Sequence, residues 1–264
     1  MAKRYERIAD ALRSEIRAGQ RIPGERLPAE TALAAQHKVS LPTIRQALGV
    51  LQVEGLVEKR HGHGNFVRKP RRPVERTNER HQWEKDRARK PVEVRQTTGA
   101  TEHDTGLTIN DLVFHAAYRE AEAADELADI FKVPAGTRLL ERLYRTSYRE
   151  EDAPFALVRS YLVHDVVAGN PELLDDSNEP WPGGTQSQLH TIGIELDRIT
   201  ERVTARPPTV EETEDLGLTA GVSVIDLWKT SIDTTGRVVE VSHVILPGDR
   251  TEMVFTTPLD RWQS

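Results

Sequence analysis

Residues 40–67 read SLPTIRQALGVLQVEGLVEKRHGHGNFV, and this run limits the fold more than any other part of the 264-residue chain. Ser40 stands where a helix N-cap accepts from free amides, and Pro42 is tolerable in a first turn because no intrahelical donor is needed there. Ile44, Ala47, Leu48 and Leu51 recur at helical spacing and form one buried stripe, which Gly55 ends. Two strand-like runs, LVEKR and NFVRK, then flank His61-Gly62-His63-Gly64, a hairpin tip whose glycines supply the conformations that a tight turn requires.

The preceding residues supply two more helices. Tyr5, Ile8, Leu12 and Ile16 line one face and Gly19 sits at the C-terminal cap; AETALAAQH, with Leu33 and Ala34 on its buried side, runs out near His37-Lys38. Three helices followed by a two-stranded wing make a winged helix-turn-helix over residues 1–68. Opposite the Ile44/Leu48 stripe, Pro42, Arg45, Gln46 and Gly49 face outward, in the part of the second helix that reaches base edges in the major groove. Arg45 is the expected reader, by bidentate pairing with guanine, and Ser40 and Thr43 are short enough to meet phosphates. A surface ion pair with a neighbouring glutamate is the competing reading of Arg45. At the wing, Arg60, His61 and His63 beside the slim Gly62 and Gly64 suit a phosphate strand or the minor groove. The two histidines lack further ligands at metal-binding spacing, so no metal is expected.

Charge supports a nucleic-acid module on a different kind of body. Residues 1–95 hold 22 basic against 12 acidic side chains, and residues 96–264 hold 14 against 30. The absence of cysteine removes disulfides and thiolate chemistry. No run approaches the roughly 20 apolar residues of a membrane span, and MAKRYERIADALRSEI lacks a signal-peptide core, so a soluble, cytoplasmic protein is expected. Residues 69–95, charged and proline-bearing with little apolar periodicity, read as a linker carrying one Trp83.

Residues 96–264 form the third segment. Strand candidates rich in branched and aromatic residues, among them LVFHAAYREA, RLLERLYRTSYRE, FALVRSYLV, RITERVTAR, VSVIDLWKTSID and RVVEVSHVIL, are interrupted by helix candidates at residues 124–131, 186–192 and 210–216. The fold class is therefore α+β, with a mainly antiparallel sheet. ADIFKVPAGTRLLERLYRTSY and TEDLGLTAGVSVIDLWKTSI form a weak internal repeat, and the one-residue difference in their spacing calls for a bulge.

The run from Tyr5 to Val67 resembles the DNA-binding domain of the GntR family of bacterial regulators, in its LPAE, VSLPTIRQAL and HGHG stretches. The family pattern usually has arginine at Thr31 and Leu41 and serine at Ala29, so the resemblance places more of the DNA contact on Arg45 and the wing. Residues 95–260 resemble, more loosely, the UTRA ligand-binding domain of the HutC subfamily, which shares the chorismate lyase fold; VPAGTRLLERLYR, residues 154–162 and GRVVEVS carry the likeness. The resemblance implies a homodimeric repressor that a small-molecule effector releases from an inverted-repeat DNA operator. By position it makes Arg142, Tyr144, Ser160, Glu240 and Ser242 the effector-binding candidates, with no cofactor. Strand alternation places Arg142 and Tyr144 on one face and Glu240 with Ser242 on one face. Two rival functions are a C-terminal domain that only dimerises and an enzyme resembling the lyase. No Ser-His-Asp order, phosphate-cradling loop or paired-carboxylate motif supports the enzyme, so no catalytic residue is expected.

Overall fold

The computed structural model describes residues 3–259, so the outermost ends of the expected first and last segments, residues 1–2 and 260–264, lie outside the described residues. The chain divides into two compact units: Met1–Arg72 with Pro207–Ser223, and Pro73–Arg206 with Val224–Ser264.

In the first unit, α1 (Arg4–Arg17), α2 (Glu30–His37) and α3 (Leu41–Val53) precede a hairpin of β1 (Val57–Arg60) and β2 (Gly64–Val67). Each helix buries the stripe its spacing predicts: Ile8 and Leu12 from α1, Leu33 from α2, and Ile44, Ala47, Leu48 and Leu51 from α3, with Leu27, Val57 and Val67 closing the core. Glu6 starts α1 by accepting from the Lys3 amide at 2.7 Å. Lys38 ends α2 in the left-handed region, at φ 53°. Ser40 occupies the N-cap position of α3, but its hydroxyl pairs with that of Thr43 at 3.0 Å and accepts no helix amide, contrary to the capping role expected of it.

Residues 207–223 join this unit although the sequence gives no hint of it. Arg71 Nη2 donates to the Leu216 carbonyl at 2.9 Å, and Leu216 is fully buried. Gly221, at φ 86°, lies so close to α3 that a Cβ there would stand 2.5 Å from the Val53 carbonyl oxygen. Only glycine satisfies both the backbone angle and that approach.

The second unit starts at the supposed linker. Here β3 (Val74–Thr77), α4 (Arg80–Ala88), α5 (Val92–Arg95) and α6 (Ala100–Thr105) lead into β4 (Leu112–Glu122), α7 (Asp125–Phe131), β5 (Arg138–Tyr148), β6 (Pro154–Val163) and α8 (His164–Val167). Then come α9 (Gly184–Thr191), β7 (Leu196–Arg206), α10 (Val210–Asp215, in the first unit), β8 (Val224–Asp233), β9 (Val238–Pro247) and β10 (Thr251–Val254). The six long strands form one antiparallel sheet in the order β4-β5-β6-β9-β8-β7. The internal repeat is visible in that order: β4-β5-β6 and β7-β8-β9 are two three-strand halves that meet at β6 and β9. Register shifts fall near the end of β5, between Arg145 and Ser147, and of β8, between Ser231 and Ile232, so both halves carry an irregularity.

Residues 73–95 are a folded part of this unit and not a linker without a core. Val74 is buried and β3 pairs in parallel with β10. Charges of this segment pair internally, with Arg80 Nη1 2.6 Å from Asp104 Oδ2 and both side chains buried. Trp83 settles against His103, ring centroids 4.5 Å apart, with the Arg87 guanidinium over its face. Periodicity missed the segment because its stabilising contacts are polar and distant in sequence.

Candidate functional site

The head presents its charge on α3 and the wing. Arg45 and Gln46 are exposed, as the stripe opposite Ile44 and Leu48 requires. Arg45 keeps 64% of its side chain in solvent while its Nε donates to Glu30 Oε2 at 2.7 Å. Hydrogen bonding to Arg45 holds the Glu30 carboxyl below its ordinary value. The glutamate pair that competed with base reading is therefore present, but it uses Nε and leaves the paired Nη edge that guanine recognition needs. Ser40 and Thr43 bond to each other at the start of α3.

At the wing the Arg60 carbonyl accepts from His63 N at 2.9 Å, so His61, Gly62 and His63 form the exposed tip. Gly62 takes φ 74°, and Gly64 follows at φ 110°. The Arg60 guanidinium lies 4.4 Å from the Phe66 ring centroid and donates through Nε to Glu58 at 2.8 Å, which holds a half-exposed cation in place on the strand. Arg26 was not singled out from the sequence. It bridges to Phe66, and its Nε lies 3.3 Å from where a Gly64 Cβ would stand, which adds an exposed cation beside the wing. Nothing short of the β-bridge reveals it, because the residue precedes α2 by four positions.

The second unit contains a cavity of about 710 Å³, within the range typical of small-molecule sites. Of the five effector-binding candidates only Tyr144 lines it. Arg142, Ser160 and Ser242 do share one row across β5, β6 and β9, and the row continues to Lys229 on β8. All three are buried, as is Glu240. Both terminal nitrogens of the Arg142 guanidinium are engaged from inside: Nη2 donates to Glu240 Oε1 at 3.0 Å and Ser160 Oγ at 2.8 Å, and Nη1 donates to Gln188 Oε1 at 2.6 Å. Lys229 Nζ, 2.9 Å away, and Ser231 Oγ, 3.0 Å away, complete Glu240 on its other oxygen. Burial alone would raise the Glu240 carboxyl; Lys229 and Arg142 reverse this and hold it at about 2. This network forms a rigid support. It meets the cavity through Gln188, and through Thr185, whose hydroxyl accepts from Arg142 at 3.2 Å.

Apart from Tyr144, the cavity wall comes from residues the sequence did not mark. Phe114, Tyr144 and Trp181 give it aromatic faces, and Glu179 and Arg95 give it charge. Tyr144 Oη donates to Glu179 Oε1 at 3.0 Å, Tyr118 donates to the same oxygen, and Gln188 Nε2 does so at 2.9 Å. Burial pushes the Tyr118 hydroxyl up to about 12 and raises that of Tyr144 well above its ordinary value, so both remain proton donors. Three of these residues carry no local signal because their roles are tertiary: Glu179 and Trp181 sit on an irregular segment before α9, and Arg95 lies in the supposed linker.

Comparison with known proteins accords with both units. Residues 4–67 match the model of the bacterial regulatory proteins of the gntR family, and residues 115–252 match that of the UTRA domain. An HTH-type transcriptional regulator of Streptomyces coelicolor is 28% identical over 94% of this chain and 90% of its own length. The HTH-type transcriptional repressor NagR of Bacillus subtilis is 26% identical over 95% and 93%. Among solved structures, a GntR-family transcriptional regulator superposes with a TM-score of 0.63 at 26% identity, covering 98% of each chain. PhnF from Mycobacterium smegmatis shares the fold, with a TM-score of 0.52 at 20% identity over 96% of this chain and 99% of that one. With a helix-turn-helix matched at one end and a UTRA domain over more than half of its length, the chain belongs to the GntR family of bacterial transcription regulators.

Proposed function

We propose that this regulator is a cytoplasmic, homodimeric repressor of the HutC type, released from an inverted-repeat operator when a small-molecule effector fills the cavity of the second unit. The observation that carries this reading is the cavity: about 710 Å³, aromatic-walled, and furnished with a few fixed polar groups. A domain serving only to dimerise has no need of such a space. The head supplies Arg45 and Gln46 for the major groove, Ser40 and Thr43 for phosphates near the start of α3, and Arg60, His61, Gly62, His63 and Gly64 for the flanking strand or minor groove. One such head covers only a few base pairs, so useful specificity calls for two half-sites and a two-fold dimer.

An effector acts only through different affinities for two states. The cavity is lined by Glu84 and Arg95, from the segment that continues in sequence to the head, so a bound ligand touches the chain leaving the helix-turn-helix. This moves the coupling element from a loose linker to an ordered strap. The test is calorimetric titration of effector with and without operator, alongside footprinting and light scattering. The reading requires a protected inverted repeat, a dimer at micromolar concentration, and equal reciprocal weakening of the two ligands. A monomer protecting a single asymmetric half-site, or a ligand whose affinity ignores operator, refutes it.

A further inference from the structure

The charges facing the cavity are not the ones the strand pattern suggests. Arg142 is neutralised by Glu240 within its own network, and Glu84 is matched by Arg80, with Arg80 Nη2 3.8 Å from its Oε1. Three lining charges make no ion pair among the described residues. Glu102 is one, but its carboxylate is turned back onto the N-terminus of its own helix, where it accepts from the Gly99 amide at 2.9 Å; the other two are held mainly by groups distant in sequence.

Arg95 is the first. Its Nε donates to the Lys90 carbonyl at 3.0 Å and its Nη1 to the Pro182 carbonyl at 2.6 Å and to Ser187 Oγ, all neutral acceptors. The guanidinium is thereby immobilised, while among the described residues its Nη2 makes no hydrogen bond and no carboxylate pairs with it. Glu179 is the second. Its donors are two tyrosine hydroxyls, one amide side chain and the Trp181 amide at 2.6 Å, again all neutral. Both groups are fixed by hydrogen bonds that leave their net charge intact, the arrangement expected of a site built to meet opposite charges on a ligand. Phe114, Tyr144 and Trp181 line the same cavity and favour an apolar body and a nearby cation.

We propose that the effector is a small zwitterion: its ammonium group meets Glu179, its acid group takes the free Nη2 of Arg95, and its apolar body lies among the three aromatic side chains. The proposal rests on the effector-binding reading above, and its test separates the two.

The full-length protein is screened by thermal shift against three sets of probes. The first is the standard amino acids with straight-chain ω-amino acids of three to six carbons; the second, each zwitterion's amine and acid counterparts; the third, hexose phosphates and dicarboxylates. Calorimetry then follows on the compounds that raise the melting temperature. The expected result is a zwitterion bound at least tenfold more tightly than either singly charged counterpart. Arg95→Gln should erase its advantage over the amine, and Glu179→Gln its advantage over the acid. Because the comparison of counterparts uses unaltered protein, it stands even if a variant folds poorly. A hexose phosphate or dicarboxylate that binds while no zwitterion does, or a zwitterion bound no better than its counterparts, overturns the charge assignment and leaves effector binding intact. No stabilising compound in any of the three sets counts against both.

Discussion

The two units use charge in opposite ways. In the head the buried side chains are hydrocarbon almost throughout; Asn65 is the one buried polar side chain among its described residues, and it accepts from Gln52 Nε2 at 3.1 Å. Its cations lie outside, on α3 and the wing. The sheet unit buries Arg80, Asp104, Glu141, Arg142, Glu240 and Arg250. A DNA-reading surface needs charge in water, where its cations can displace the counterions condensed on phosphates, and a dry core beneath it asks only for shape. A ligand chamber needs polar groups held at fixed angles, and buried networks supply that rigidity at a desolvation cost which pairing must offset.

The largest effect that would sharpen this contrast comes from cutting one network. Glu240→Ala removes the one carboxylate paired with buried Arg142, and an ion-pair partner of half-buried Lys229, and should destabilise the sheet unit by roughly 3–5 kcal/mol. Position-based reasoning makes the same variant merely blind to effector; the hydrogen bonds predict a folding defect instead. Trp83, Trp181 and Trp228 lie in the sheet unit, the head contains no tryptophan and Trp262 lies outside the described residues, so in a Trp262→Phe background denaturant unfolding followed by tryptophan fluorescence reports on the sheet unit alone. An unshifted fluorescence midpoint would break the comparison.

Acid gives the next effect. The Glu240 carboxyl falls from an ordinary 4.5 to about 2 in the folded unit. A depressed folded value means that its contribution, of order 3 kcal/mol, is present above about pH 4.5 and fades as pH falls towards 2. The fluorescence midpoint should drop across that window, and more steeply than in Glu240→Gln, which has no carboxylate to protonate. Equal slopes would show that the network is not what acid dissolves.

The smaller effects belong to the exposed charges of the head. Arg45→Ala should cost roughly 1–3 kcal/mol on the operator and relax specificity, whereas Arg60→Ala should weaken all sequences alike and lower the salt slope by about 1. Release of Glu30 accompanies the loss of Arg45, so Glu30→Gln is the control: it keeps an acceptor at Nε and removes the charge. Binding measured on operator and on random DNA at several salt concentrations distinguishes these outcomes. Equal losses on both DNAs for Arg45→Ala would take it out of base recognition.

How much the chain disclosed in advance follows the same division. In the head, Ile44, Ala47, Leu48 and Leu51 announce α3 because a helix writes its buried face at a fixed local period. The strands of the sheet were legible by alternation and branched residues, and the repeat foreshadowed two three-strand halves. In the cavity, Tyr144 was legible through the family resemblance of its strand, while Arg95, Glu179 and Trp181 were not, since no period marks a loop or a short helix whose partners are dozens of residues away.

By itself, then, the sequence determined the three helices, the glycine-tipped wing, the antiparallel strands and the outward aim of Arg45, all of which depend on spacings of a few residues. Tertiary structure alone decided that residues 73–95 are a folded strap, that residues 207–223 pack with the head, and that Arg142 closes on Glu240. Those outcomes are pairings between groups far apart in the chain. A charged side chain carries the same sign whether solvated or buried, and only the folded arrangement selects its partner.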